Sequence, residues 1–162
     1  MTIYLVRHGL AEAGVDALDP GLAPLGRKQA DAVADALRGI RAGRLLVSPL
    51  RRTRETAEPI AEALTLEAEV RDEVAEVFDP SWPAAERQAM IGPFMAGKWR
   101  DQPERLREWR KRVLDTVLTA GLAAEASGLD LLIVSHYIAI GVAIGAAIGD
   151  DRVVPVPMAN AS

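Results

Sequence analysis

Short apolar runs alternate along the chain with longer segments in which apolar residues return every three or four positions, the patterns of buried strands and amphipathic helices. Thr2-Ile3-Tyr4-Leu5-Val6 is a run rich in β-formers and predicts a first core strand ending at Arg7-His8-Gly9. After a loop with Asp19-Pro20-Gly21 and Pro24-Leu25-Gly26, residues Ala30, Val33, Leu37 and Ile40 fall at helical spacing, closed by Gly39 and Gly43. Leu45-Leu46-Val47 predicts a second strand that stops at Ser48-Pro49. Ala57, Ile60, Ala61 and Leu64 mark another helix, with Pro59 either in its first turn or at a kink.

From Glu67 to Pro83 the pattern changes to short extended pieces around Val70, Val74 and Val77, which predict a strand and a long loop. Met90, Ile91, Phe94, Met95 and Trp99, set around Gly92-Pro93 and Gly97, predict one or two short helices, and a lid insertion is expected at about 78–103. Leu106, Trp109, Val113 and Val117 give a long helix from about Pro103 to Ala126, its basic start mixed with Glu104 and Glu108 as on a solvated face. Leu131-Leu132-Ile133-Val134 is continuously apolar, as a strand covered on both faces should be. Ile138 to Ile148 is almost wholly apolar, with Gly141, Gly145 and Gly149 four apart. GxxxG spacing can pair helices in lipid, but this run is only about a dozen residues against the roughly 20 that span a bilayer, so a buried helix is expected.

With no internal repeat, low-complexity tract or linker, this order predicts a single α/β domain over residues 1–162, a three-layer αβα sandwich with a mainly parallel sheet. Neither a basic leader nor a cleavage site precedes the first strand, so a secretory signal is not expected and a cytoplasmic address is. The chain has no cysteine, which excludes disulfides, thiolate nucleophiles and Cys-bound metal. It has only two histidines, and no HExxH-like pair starts a zinc site, so neither metal nor cofactor is expected. A net charge of -4 argues against a nucleic-acid partner while leaving room for a local anion pocket.

The two histidines carry the chemical information. His8 and His136 each stand just past the carboxyl end of an apolar strand, where parallel sheets bind ligands. Arg7 and Arg51-Arg52 take similar strand-exit positions. Together with the helix N-terminus after His136, they would form a cationic basin suited to a tetrahedral dianion such as phosphate.

At these positions the sequence resembles the histidine phosphatase superfamily, also called phosphoglycerate mutase-like. Arg7-His8-Gly9 matches its RHG signature. Asp19 with Leu22, Pro24, Leu25, Gly26 and Gln29-Ala30 is similar to the approach to its first helix. Ser48-Pro49-Leu50-Arg51-Arg52-Thr53-Arg54-Glu55-Thr56-Ala57 is similar to its second block, in which Arg52 is the matched arginine. Val134-Ser135-His136 resembles the second histidine block, and Asn160-Ala161-Ser162 a small motif near its last core strand. The segment from about Phe78 to Gly128 lies outside the resemblance.

The resemblance implies phosphoryl transfer through a phosphohistidine on His8. Arg7, Arg52 and His136 would hold the phosphoryl oxygens, with Tyr137 also at the phosphate, and a carboxyl group after the third strand would protonate the leaving group. Glu73 and Glu76 compete for that last role. Val74-Ala75-Glu76-Val77-Phe78 is closer to the family's acid segment, which favours Glu76. Where the mutase branch has a polar signature, this chain has Leu10-Ala11-Glu12-Ala13-Gly14, and Ala23 stands where threonine is common. The family also continues along a strand where this sequence stops at Ser162.

The loss of polar groups at Leu10–Gly14 and Ala23, together with the length, favours a metal-independent phosphatase acting on a small phosphomonoester over a mutase. A phosphohistidine-protein phosphatase is the second enzymatic reading, against which the insertion with Trp82 and Trp99 argues. A phospholigand-binding protein without turnover is the third. A homodimer is compatible with each.

Overall fold

A computed structural model describes residues 1–12, 19–78 and 84–162. Among them the order is β1 (Ile3–Arg7), α1 (Pro24–Leu37), β2 (Ala42–Val47), α2 (Arg51–Leu64), β3 (Ala68–Val70), α3 (Ala84–Ala96), α4 (Glu104–Ser127), β4 (Asp130–Ser135) and α5 (Tyr137–Ile148). Short 3₁₀ turns lie at Asp72–Val74 and Trp99–Asp101. The four described strands form one sheet in the order β1-β4-β2-β3, and each neighbouring pair is parallel.

Period-two alternation sends successive side chains of the central strands to opposite layers. Leu46, Leu131 and Ile133 meet Val113 and Val117 of α4 and Ile138 and Val142 of α5. Leu45, Val47, Leu132 and Val134 meet Ala34 and Leu37 of α1 and Ala57 and Ile60 of α2. With helices on both faces, the apolar run of β4 is buried residue after residue, each side chain contributing about 1.5–3 kcal/mol. This is the three-layer α/β arrangement the sequence predicts.

The register brings the strand ends level. Arg7 lies opposite Ser135 across β1 and β4, and Val47 lies opposite Val134 across β2 and β4. His8 and His136 therefore leave the sheet side by side, and Ser48 leaves it beside Ser135. Backbone bonds continue the ladder into this exit region, from the N–H of His8 to the carbonyl of Ser135 (3.1 Å) and from the N–H of Ser48 to that of Val134 (3.1 Å).

One element departs from the periodicity. α2 begins at Arg51, and Pro59 sits inside it rather than in its first turn. The early turns carry almost no apolar residues, so the pattern was blind to them. They are held by Thr53, whose hydroxyl donates to the carbonyl of Ser48 (2.9 Å), and by a distant carboxylate described below. Of the one or two short helices expected next, α3 forms one that runs through Gly92-Pro93, followed by a 3₁₀ turn.

Phe94 and Trp99, from the stretch expected as a lid, are 3% and 2% exposed and stack edge to face within the core, beside Phe78 and Trp109. Trp82 lies outside the described residues.

The glycines of α5 serve packing within the domain. A Cβ on Gly145 would come 2.8 Å from the Asp150 carbonyl, and one on Gly141 would come 3.3 Å from that of Val153, so the returning chain lies directly on this face. Among the described residues no helix is long and apolar enough to cross a membrane.

Candidate active site

His8 follows β1 and is 8% exposed. Its ring is fixed by two contacts that agree on its tautomer. Nδ1 lies 2.7 Å from the carbonyl of Gly9, so it carries the proton and donates it there. Nε2 accepts from Nε–H of Arg52 at 3.3 Å, so it holds a lone pair. Burial, followed by the charges of Arg52 and Arg7, lowers the pKa of His8 to about 4, while the bond to Gly9 acts in the opposite sense. The ring is therefore neutral near pH 7, with a nucleophilic nitrogen facing the arginine.

His136 precedes α5 and is fully buried. Its Nδ1 accepts from Nη2–H of Arg52 at 3.2 Å, which leaves Nε2–H to donate to the hydroxyl of Ser48 at 2.7 Å. Burial first, then the charges of Arg52, His8 and Arg7, hold its pKa well below the usual imidazole value. The two imidazole rings stand 5.2 Å apart, edge to face, bridged by one guanidinium.

Arg7 ends β1. One terminal nitrogen donates to the carbonyl of Met158 (2.7 Å), and the guanidinium lies 4.9 Å from the centre of the Tyr137 ring. Its Nε is buried, with no hydrogen-bond partner among the described residues. Tyr137 reaches the site through this ring contact.

Glu76 follows the 3₁₀ turn after β3. Its Oε1 accepts the N–H of Val77 (2.9 Å), and its Oε2 lies 3.9 Å from Nδ1 of His136. Burial raises the Glu76 pKa against the opposing pull of the Val77 N–H, Arg52 and Arg7. With His136 neutral, the 3.9 Å approach is not a salt bridge between two charged groups. The Glu76 side chain keeps 22% of its surface open, enough to reach a ligand.

His8, Arg52, His136 and Glu76 thus form one set of contacts, with the Arg7–Tyr137 pair on the adjoining chain positions. Glu73 is not among them. It is exposed and lines a separate groove of about 290 Å³ with Arg44, Arg71 and Asp115.

Sequence reasoning missed two supporting residues. Ser48 sets the ring orientation of His136, and its place at a strand exit level with the histidines was the available signal. Thr56, fully buried, accepts the N–H of Gly9 (3.0 Å) and donates to the carbonyl of Arg52 (2.7 Å), tying the nucleophile loop to α2. The end of the chain adds a third tie, with the side-chain amide of Asn160 donating to the carbonyl of His8 (3.2 Å). Among the described residues no group of three His, Asp or Glu side chains is placed to hold a metal ion.

The sequence profile of the histidine phosphatase superfamily (branch 1) matches residues 3–162. The chain belongs to the histidine phosphatase superfamily. Phosphatase or related phosphoryl-transfer chemistry is therefore its general class of activity.

Solved structures share the fold. YhfR of Bacillus stearothermophilus superposes with a TM-score of 0.80 at 20% identity, covering 98% of this chain and 86% of that one. A phosphoserine phosphatase of Entamoeba histolytica, solved with 3-phosphoglyceric acid, gives 0.73 at 22% identity over 99% and 88%. A mycobacterial glucosyl-3-phosphoglycerate phosphatase gives 0.67 at 24% over 98% and 85%. No curated protein sequence matches the chain.

Proposed function

We propose that this histidine phosphatase superfamily member is a metal-independent phosphatase that hydrolyses a small phosphomonoester through a phosphohistidine on His8. The observation that carries the reading is the single guanidinium of Arg52 bridging Nε2 of His8 and Nδ1 of His136. One cation there faces both a neutral nucleophile and its neutral neighbour, a place that a phosphoryl dianion can enter. The two solved phosphatases of similar fold agree with this class of chemistry without naming a substrate for this chain.

In the first step the phosphoryl oxygens take over the donors of Arg52, which frees the Nε2 lone pair of His8. That lone pair forms the N–P bond as the P–O bond to the leaving group breaks, and the carboxyl proton of Glu76 moves to the departing oxygen. The charges of Arg7 and Arg52 balance the charge on the transferring group. His136 is uncharged before binding. The dianion raises its affinity for a proton, so it can donate Nδ1–H to a phosphoryl oxygen while Ser48 holds Nε2. In the second step water attacks phosphorus, the Glu76 carboxylate takes the water proton, and the N–P bond returns its electron pair to His8.

The partner remains the small phosphomonoester expected from the sequence, and the address remains cytoplasmic. The apolar Leu10-Ala11 after Gly9 and Ala23 before α1 supply few polar groups to hold a released substrate for return transfer, which favours hydrolysis over mutase chemistry.

Hydrolysis of a chromogenic aryl phosphate tests the reading. Turnover is expected with and without a metal chelator, and His8→Ala should lower kcat by a factor on the order of 10⁴ or more. Activity that collapses on chelation or survives His8→Ala contradicts it.

A further inference from the structure

We propose that Asp19 is a positioning residue for Arg52, aiming the phosphate-binding edge of the guanidinium at the two histidines; the proposal rests on the reading of the site given above. Arg52 divides its nitrogens between two sides. Nε and Nη2 face His8 and His136 at 3.3 and 3.2 Å, and Nη1 lies 3.9 Å from Oδ1 of Asp19. The planar fork of an arginine binds oxyanions through one edge at a time, so what holds the outer nitrogen decides where the inner edge points.

The carboxylate is itself anchored. The same Oδ1 accepts the backbone N–H of Arg51 at 2.8 Å. Arg51 is the first residue of α2, whose N-cap residue Leu50 provides no side-chain cap. Asp19 thus supplies, from a loop 32 residues earlier, the acceptor that a capping side chain normally gives to an orphan N–H. A surface carboxylate free to rotate would fix nothing. This one is tied to the element that carries Arg52.

Exposure separates the two sides of the pair. The Arg52 side chain is 13% exposed and that of Asp19 39%, so the carboxylate sits toward solvent and the histidines lie on the interior side. A phosphoryl group held by the inner edge need not displace Asp19.

Positioning and simple electrostatics predict opposite signs. A negative charge beside an anion site weakens anion binding, so its removal alone would tighten phosphate. If Asp19 instead aims Arg52, its removal loosens phosphate even though an unfavourable charge has gone.

The test is calorimetric binding of inorganic phosphate to wild type, Asp19→Asn and Asp19→Ala, alongside kcat/KM for an aryl phosphate. Asparagine keeps an oxygen for the Arg51 N–H and loses only the charge that faces Arg52. Asp19→Asn is expected to bind phosphate about tenfold more weakly, with a fall of similar size in kcat/KM. Should Asp19→Asn melt early, Asp19→Glu decides, with expected binding between that of wild type and the alanine variant. Binding in Asp19→Asn as tight as wild type or tighter overturns the proposal, as does a loss confined to Asp19→Ala, which would leave Asp19 only a loop tie. A wild type that binds phosphate but hydrolyses nothing fails the phosphatase reading, and the binding comparison alone then decides the role of Asp19. A wild type that binds no phosphate overturns both.

Discussion

The two ring nitrogens of His8 have different partners, and the difference makes one of them a nucleophile. Nδ1–H is held by the Gly9 carbonyl, leaving Nε2 to its lone pair, and a pKa of about 4 keeps that lone pair free of protons over most of the working range. The Glu76 carboxyl is displaced the other way, upward by burial. For a neutral nucleophile and a protonated acid, kcat/KM should fall below about pH 4, as His8 takes a proton, and fall again above the raised Glu76 pKa, as the acid loses its own. Once the substrate's own ionisation is divided out, a pH–rate profile checks this. Glu76→Gln should keep the acid limb, abolish the basic one, and cost about 10²–10⁴ in kcat with an alkyl leaving group, less with an aryl one. The histidines were legible in the sequence because so few candidates stood at strand exits. Glu76 was preferred over Glu73 only through family resemblance, since a lone carboxyl in an irregular loop has no period to read. Ser48 went unread because its partner, His136, is 88 residues away.

Among the elements, the first loop and α1 meet more closely than any side chain would allow. A Cβ on Gly26 would overlap the carbonyl of Leu10, and one on Gly9 would come 2.5 Å from the carbonyl of Gly26. Both obstacles are backbone and cannot swing aside. Gly26→Ala should therefore destabilise the fold by about 1–3 kcal/mol and lower kcat, because the shift passes through Leu10 and Gly9 to His8. Gly39→Ala, facing open space, should do neither. Thermal melting of the two variants with an activity assay makes the comparison. α1 and α4 were readable because their burial follows a helical period, and β1, β2, β4 and α5 because their apolar residues run together. The start of α2 was not, since Arg51 to Glu55 are held by contacts from Asp19 and Leu22 rather than by an apolar stripe of their own. A fully polar turn fixed by tertiary bonds leaves no pattern in the sequence.

For the molecule as a whole, a parallel sheet with level strand ends places side chains from four separate parts of the chain in one basin. The net charge is -4, yet the site gathers Arg7 and Arg52 beside two neutral histidines, so the phosphate-facing region is cationic on an otherwise acidic protein. Family membership makes phosphoryl transfer the general chemistry, and the central claim is that the phosphoryl group passes through His8. Rapid mixing with an aryl phosphate, a quench that avoids acid, and peptide mass analysis test that claim most directly. The expected result is a transient phosphoryl adduct on the peptide carrying His8, formed and consumed at rates compatible with turnover and absent from His8→Ala. Turnover with no covalent adduct, or an adduct on any other residue, would contradict it.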